Sequence, residues 1–268
     1  RELVAAGYGV AALDSLNRTQ GTWGAQAVLA NNLDALNFAA AYDRFVRDGS
    51  LAATRPVFFI GEAAGANAAV RFAELLATGT PARPVKGAVL YLSPGLDTLA
   101  VTSRVPQFFA LAVNDPVLGA AGLADARDNA QLLTGRGVAN NLVTNPVSPV
   151  HSDRFRALSV TAPTFTAADA TAVWTAVKAA GLLDANNYLK STPTAAALTA
   201  ALPPPYQRRA TDVAAQLAVA SARREFYGDA NARVIAFLNN RAADAPVPPP
   251  GRLVNLSAAE GHPASVMD

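Results

Sequence analysis

Residues 56–77, PVFFIGEAAGANAAVRFAELLA, constrain the fold more than any other stretch of the chain. Val57, Phe58, Phe59 and Ile60 are consecutive strand formers without polar alternation, the pattern of a strand covered on both faces. Gly61-Glu62-Ala63-Ala64-Gly65 follows, and then Ala68, Ala69, Phe72, Ala73, Leu75 and Leu76 recur at helical spacing with Arg71 and Glu74 between them. The expected unit is a buried strand, a tight turn and an amphipathic helix. Glycines flank the turn because strand and helix backbones pass close to one another there. Ala63, at its centre, has no atom that can attack a carbonyl.

The rest of the chain repeats the alternation. Residues 8–13 read as a buried strand ending at Asp14, and residues 15–24 as a polar loop at its carboxyl end. Trp23 in that loop either lines a pocket or packs on its own loop. Residues 31–48 form a helix with Leu33, Leu36, Phe38, Ala40, Phe45 and Val46 as its apolar stripe, ended by Gly49. Further strands are expected at 87–92, 108–113 and, more weakly, 142–147, with a helix at 123–133. Strands alternating with helices at this pitch mean an α/β fold with a doubly wound, mostly parallel sheet. After His151 the pattern turns helical, with helices over 166–180, 194–202, 211–226 and 230–240. Three segments result: a core over 1–155, a helical, cap-like region over 156–245, and a proline-rich linker and tail over 246–268 with a short strand at 253–256.

Composition narrows the function classes. Hydrophobic residues make up 51% of the 268 and charged residues 16%, which fits a well-buried core. The net charge is +2 and the basic residues are scattered, so no run tracks a phosphate backbone and no nucleic-acid partner is expected. There are no cysteines and two histidines, so thiolate chemistry is absent and a zinc site is not expected. Nothing matches a phosphate-binding G-x-G-x-x-G, and no cofactor is expected. No membrane span is expected, and the first residues do not open a signal peptide. The start without Met suggests a processed or truncated chain, and cytoplasm and periplasm both stay open as locations.

The run from Ile60 to Ala69 resembles the GESAGAN nucleophile elbow of α/β-hydrolase esterases, with Ala63 where the family has serine. The resemblance extends to the strand at 8–13, similar to the family's "GY-V-x-x-D" strand, and is clearest over 8–155. It implies a nucleophile position at Ala63, an oxyanion-hole amide at Ala64, and an acid and a histidine following in that order. Asp115, directly after the 108–113 strand, fits the acid, with Asp97 as the alternative. His151 fits the base, with His262 second. Glu62 is expected under the turn as a brace. The segments 148–155 (SPVHSDRF) and 221–227 (SARREFY) also resemble pieces of a bacterial subgroup whose second piece reads "A-E-H-x-F". Arg224 then stands where that subgroup has histidine.

A complete sheet of this family has about three further strands upstream. Their absence implies a fragment, an abbreviated sheet, or a separate chain that supplies them against an otherwise bare edge. Two functions follow. In one, the protein is a serine hydrolase of carboxylic esters, with a small-molecule ester as its substrate and Ala63 a Ser→Ala replacement that leaves it inactive. In the other, Ala63 is natural and the protein is a non-catalytic homologue serving as a binding or assembly subunit for a protein partner.

Overall fold

The structure, a computed structural model, describes residues 2–160 and 165–243, and of residues 157, 159 and 160 the backbone alone. Four parallel strands form one sheet in the order β1 (Val57–Glu62), β2 (Val85–Tyr91), β3 (Gln107–Ala112) and β4 (Asn140–Asn145). The expected α/β class with a parallel sheet holds. Each strand is short and rich in β-branched or aromatic residues. The inner β3 is buried at every position, because helices cover both of its faces.

On one face lie α2 (Leu33–Arg47), α3 (Ala64–Thr78) and α5 (Gly119–Gly135), closing a core around Phe72, Leu76, Phe109 and Leu133. On the other, α9 (Asn231–Ala242) brings Val234, Phe237 and Leu238 against Val89 and Phe108. Each of these fully buried aromatics contributes roughly 1.5–3 kcal/mol through removal from water. A third cluster gathers Val150, Phe155, Val173, Val177, Val213 and Leu217. It is built from the 3-10 segment Ser152–Val160, α6 (Ala167–Ala179), α7 (Ala195–Ala201) and α8 (Ala210–Ala220). The two remaining helices are single turns, α1 (Glu2–Ala5) and α4 (Asp97–Ala100). No helix among the described residues is long and apolar enough to cross a membrane.

The expected strand at 8–13 does not form. This segment is an unpaired, largely exposed extension, with Val10 63% exposed. Tyr8 still docks: its ring lies edge-on to Phe58 at 6.1 Å and its hydroxyl donates to Asn239 at 2.6 Å. Beyond it Gly9, Ala11 and Ala12 leave too little side chain to hold a strand without a paired neighbour. β1 is therefore an outer strand of the described sheet.

The apolar stripe expected on α2 is also corrected. Leu33, Leu36 and Phe45 are exposed, while Asp34, Ala35 and Ala39 are buried. Small residues let α2 approach α3 closely, and the buried carboxylate has a task of its own. Asp34 accepts hydrogen bonds from the Leu16 amide at 2.8 Å and the Gly24 amide at 2.6 Å. Asn32 caps α2 by accepting from the Ala35 amide and donates to the carbonyls of Gly24 and Gln26. Together they fasten the loop over 15–26 to α2, and Trp23 in that loop packs against Phe38 and Phe72, 6.3 and 5.8 Å between centroids. Trp23 is core packing. The tail over 246–268, with the expected strand at 253–256, lies outside the described residues.

Two part-buried amide bonds depend on the Asp34 carboxylate. Asp34→Ala should lower stability by about 1–2 kcal/mol, since two hydrogen bonds to a charged acceptor are lost while the amides keep some access to water. Denaturant midpoints at constant m-value would measure it, and an unchanged midpoint would contradict this role.

Candidate functional site at the carboxyl end of the sheet

The turn after β1 is built as the sequence suggests. Ala63 separates β1 from α3 with φ 53° and ψ −120°, a conformation that residues with a Cβ rarely adopt. Its amide donates to the Tyr91 carbonyl at 2.9 Å, and its own carbonyl accepts from the Ala66 amide at 3.1 Å. The end of β2 thus holds the turn in its strained state. The two flanking glycines are not equivalent. A Cβ on Gly61 would meet the Gly65 carbonyl oxygen at 2.1 Å, whereas a Cβ on Gly65 would meet only Trp23 Nε1, at 3.9 Å. Ala64 opens the helix, and its amide is among those a helix leaves without an intrahelical acceptor.

Asp115 follows β3, with its side chain fully buried. One carboxylate oxygen accepts from the amides of Val117 at 2.8 Å and Leu118 at 3.2 Å. The other accepts from Arg224 Nη1 at 2.7 Å. Arg224 lies in a loop, because α8 stops at Ala220 and not near residue 226 as its pattern suggests. Ala222 turns left-handed, φ 55°, which breaks the helix. Asn114 holds the broken end. Its amide donates to the Ala222 carbonyl at 2.9 Å and its side chain to the Ser221 carbonyl at 3.0 Å.

The same loop crosses the ends of β1 and β2. Phe226 stacks on Tyr91 with centroids 4.5 Å apart, while staying 48% exposed. Glu62, expected beneath the turn, instead keeps solvent access at the end of β1. Partial burial pushes its carboxyl above the usual carboxylate range, neighbouring Glu225 adds to this, and Arg224 opposes it. Burial likewise raises the Tyr91 hydroxyl, which donates to Asn231 at 3.1 Å. Left-handed backbone at non-glycine residues recurs here. Ala63 follows β1, Leu92 follows β2, and Ala222 lies in the loop over their ends.

The structure thus joins Asp115 to Arg224 and sets the 221–227 loop beside the turn at Ala63. It does not join Asp115 to His151. His151 is exposed on the loop after β4, between Val150, whose carbonyl accepts from Trp174 Nε1, and Arg154, whose amide donates to the His151 carbonyl. Asp97, the alternative acid, starts α4 and accepts from Asn129 at 3.0 Å. His262 lies outside the described residues. Among the described residues no cluster of three His, Asp or Glu side chains could hold a metal ion. Phe226 over Tyr91 and the Asn114 clamp carry no sequence signal; only the 221–227 resemblance pointed at Arg224.

Chemically, the arrangement can bind but holds no nucleophile at its apex. The group on Asp115 is a guanidinium, which has no acceptor lone pair and does not deprotonate in proteins. Compared with family models, curated proteins and solved structures, the chain matches none.

Two measurements check this geometry. Gly61→Ala should destabilise by about 1–3 kcal/mol or more, because backbone must move, while Gly65→Ala should stay within about 0.5 kcal/mol. Equal losses would contradict the contact. For Glu62, whose folded pKa is raised, the protonated form favours the folded state, so this group's contribution is present at low pH and is lost as pH rises through the carboxylate range. A carbon-detected titration should show the Glu62 pKa falling in Glu225→Gln and rising in Arg224→Gln. Shifts of opposite sign would contradict the assigned causes.

Proposed function

We propose that this chain is a non-catalytic relative of the α/β-hydrolases, a binding or assembly module that keeps the nucleophile elbow without its chemistry. One observation carries this reading. Arg224 occupies the acid's carboxylate, at the position where the resembling subgroup has its histidine. A base must take a proton from the nucleophile, and a guanidinium cannot. With Ala63 at the apex, the nucleophile and the base are both replaced, and the buried acid is turned into an anchor for the loop. The outer edge of β1 offers such a module a place where a strand of another chain can pair.

A second reading has its own support. Ala63 holds the strained φ of 53° that a serine nucleophile uses, although alanine gains nothing from it. On this reading the protein is a serine hydrolase of carboxylic esters disarmed by a Ser→Ala replacement, with His151 or His262 as base.

Two variants separate the readings. Ala63→Ser alone should stay at background on short-chain p-nitrophenyl esters, because Arg224 still sits on Asp115. Ala63→Ser/Arg224→His should exceed it by roughly 100-fold or more, the usual contribution of a placed general base. Adding Asp115→Asn should remove that gain. Activity in Ala63→Ser alone, abolished by His151→Ala, would replace the binding reading with the hydrolase one.

A further inference from the structure

A cavity of about 280 Å³ opens beside this site, between the loop that carries Lys190, Ser191 and Thr192 and the loop that carries Ser221 and Arg223, with Asn114 on its wall. Its location follows from the break at Ala222. The two residues just before the arginine pair, Ser221 and Ala222, are tied to Asn114, while Arg224 donates to Asp115 and Arg223 donates to Thr192 Oγ1. Lys190 and Arg223 share this one cavity, and no carboxylate among the described residues lines it. Asp115, next to Asn114 in the chain, is already paired with Arg224 and accepts from two amides.

The donors outnumber the acceptors. Lys190 uses one of its ammonium hydrogens on the Gly181 carbonyl at 3.0 Å and keeps two. Arg223 spends one N–H on Thr192 and keeps the rest of its fork. The Ser191 hydroxyl has no hydrogen bond among the described residues, and Thr192, which accepts from Arg223, still has its own proton to donate. We infer that this cavity is a binding site for a small tetrahedral oxyanion, inorganic phosphate or the phosphate of a small monoester. A tetrahedral group presents several acceptor oxygens in different directions, suited to donors that line the cavity from two loops, whereas a carboxylate offers two in one plane. The volume lies at the lower limit of small-ligand sites, so the ligand is the anion or a group little larger.

The test uses the full chain at low ionic strength, with inorganic phosphate and phenyl phosphate as probes and acetate and chloride as matched controls. Backbone amide resonances are followed through each titration. The expected result is a saturable shift confined to residues 189–192 and 221–223, weakened by added salt. Arg223→Gln and Lys190→Gln should each weaken it by roughly tenfold or more, as loss of a charge-assisted hydrogen bond does. Arg223→Lys should recover part of the loss. Ser191→Asp places a carboxylate at the cavity from an exposed, unbonded position, so it should abolish binding with an unchanged melting temperature. No saturable shift at these residues would overturn the inference, as would equal binding by Ser191→Asp. Acetate binding as tightly as phosphate would overturn the tetrahedral assignment. None of these residues belongs to the Ala63 and Arg224 pair, so failure here leaves the esterase comparison untouched.

Discussion

A buried carboxylate with no solvent of its own must find its bonds in the protein, and Asp115 finds them on two sides. Its own turn supplies two amides, and Arg224, 109 residues further along the chain, supplies the third donor. Removing that arginine would strand a buried charge, typically worth about 3–5 kcal/mol. Asn114 adds two bonds to the same loop. This short segment after β3 therefore ties the sheet to the chain that leaves α8, and the placement of Arg223, Arg224 and Phe226 follows from it. A single left-handed residue, Ala222, sends the two arginines in opposite directions.

Strain is collected where the strands end. Ala63 and Leu92 each follow a strand and each donate back into the ladder, to Tyr91 and Ala110. Those bonds, with the glycine contact beneath the turn, hold conformations that would otherwise relax. Around them the charges are mixed: two glutamates at the end of β1 and in the crossing loop, and one guanidinium between them and Asp115. Phe226 adds an exposed ring over Tyr91. The surface near the turn is thus partly aromatic and partly ionic.

The sequence carried β1 and β3, and most of β2, well because they hold continuous apolar runs, which few other environments accept; the polar β4 was legible only weakly. It failed at residues 8–13, where an equally apolar but alanine-rich run lacks the side chains to hold a place beside β1. On α2 it chose the bulky face, yet close packing against α3 selected the small one, and the buried Asp34 was invisible to any count of hydrophobic residues. The turn at Ala63 was legible because glycine spacing and backbone strain are local properties. The partner of Asp115 was not, since a bond spanning 109 residues leaves no periodic trace. Only the likeness of 221–227 to a known segment marked Arg224 beforehand, whereas the expected order of acid and histidine favoured His151, which lies exposed on another loop.

Gly61 touches the backbone of Gly65, not a side chain and not the apex of the turn. The shape of the turn is therefore indifferent to what residue 63 does. Selection for a well-packed strand–helix junction alone would preserve both the first glycine and the curvature of the chain, with or without a reaction to perform. Such a junction can outlive its chemistry as a fossil does, its outline kept by the surrounding rock. Where packing of this kind supports a turn, its outline records the packing, and only the occupants of the apex and of the nearby carboxylate decide what chemistry it can perform.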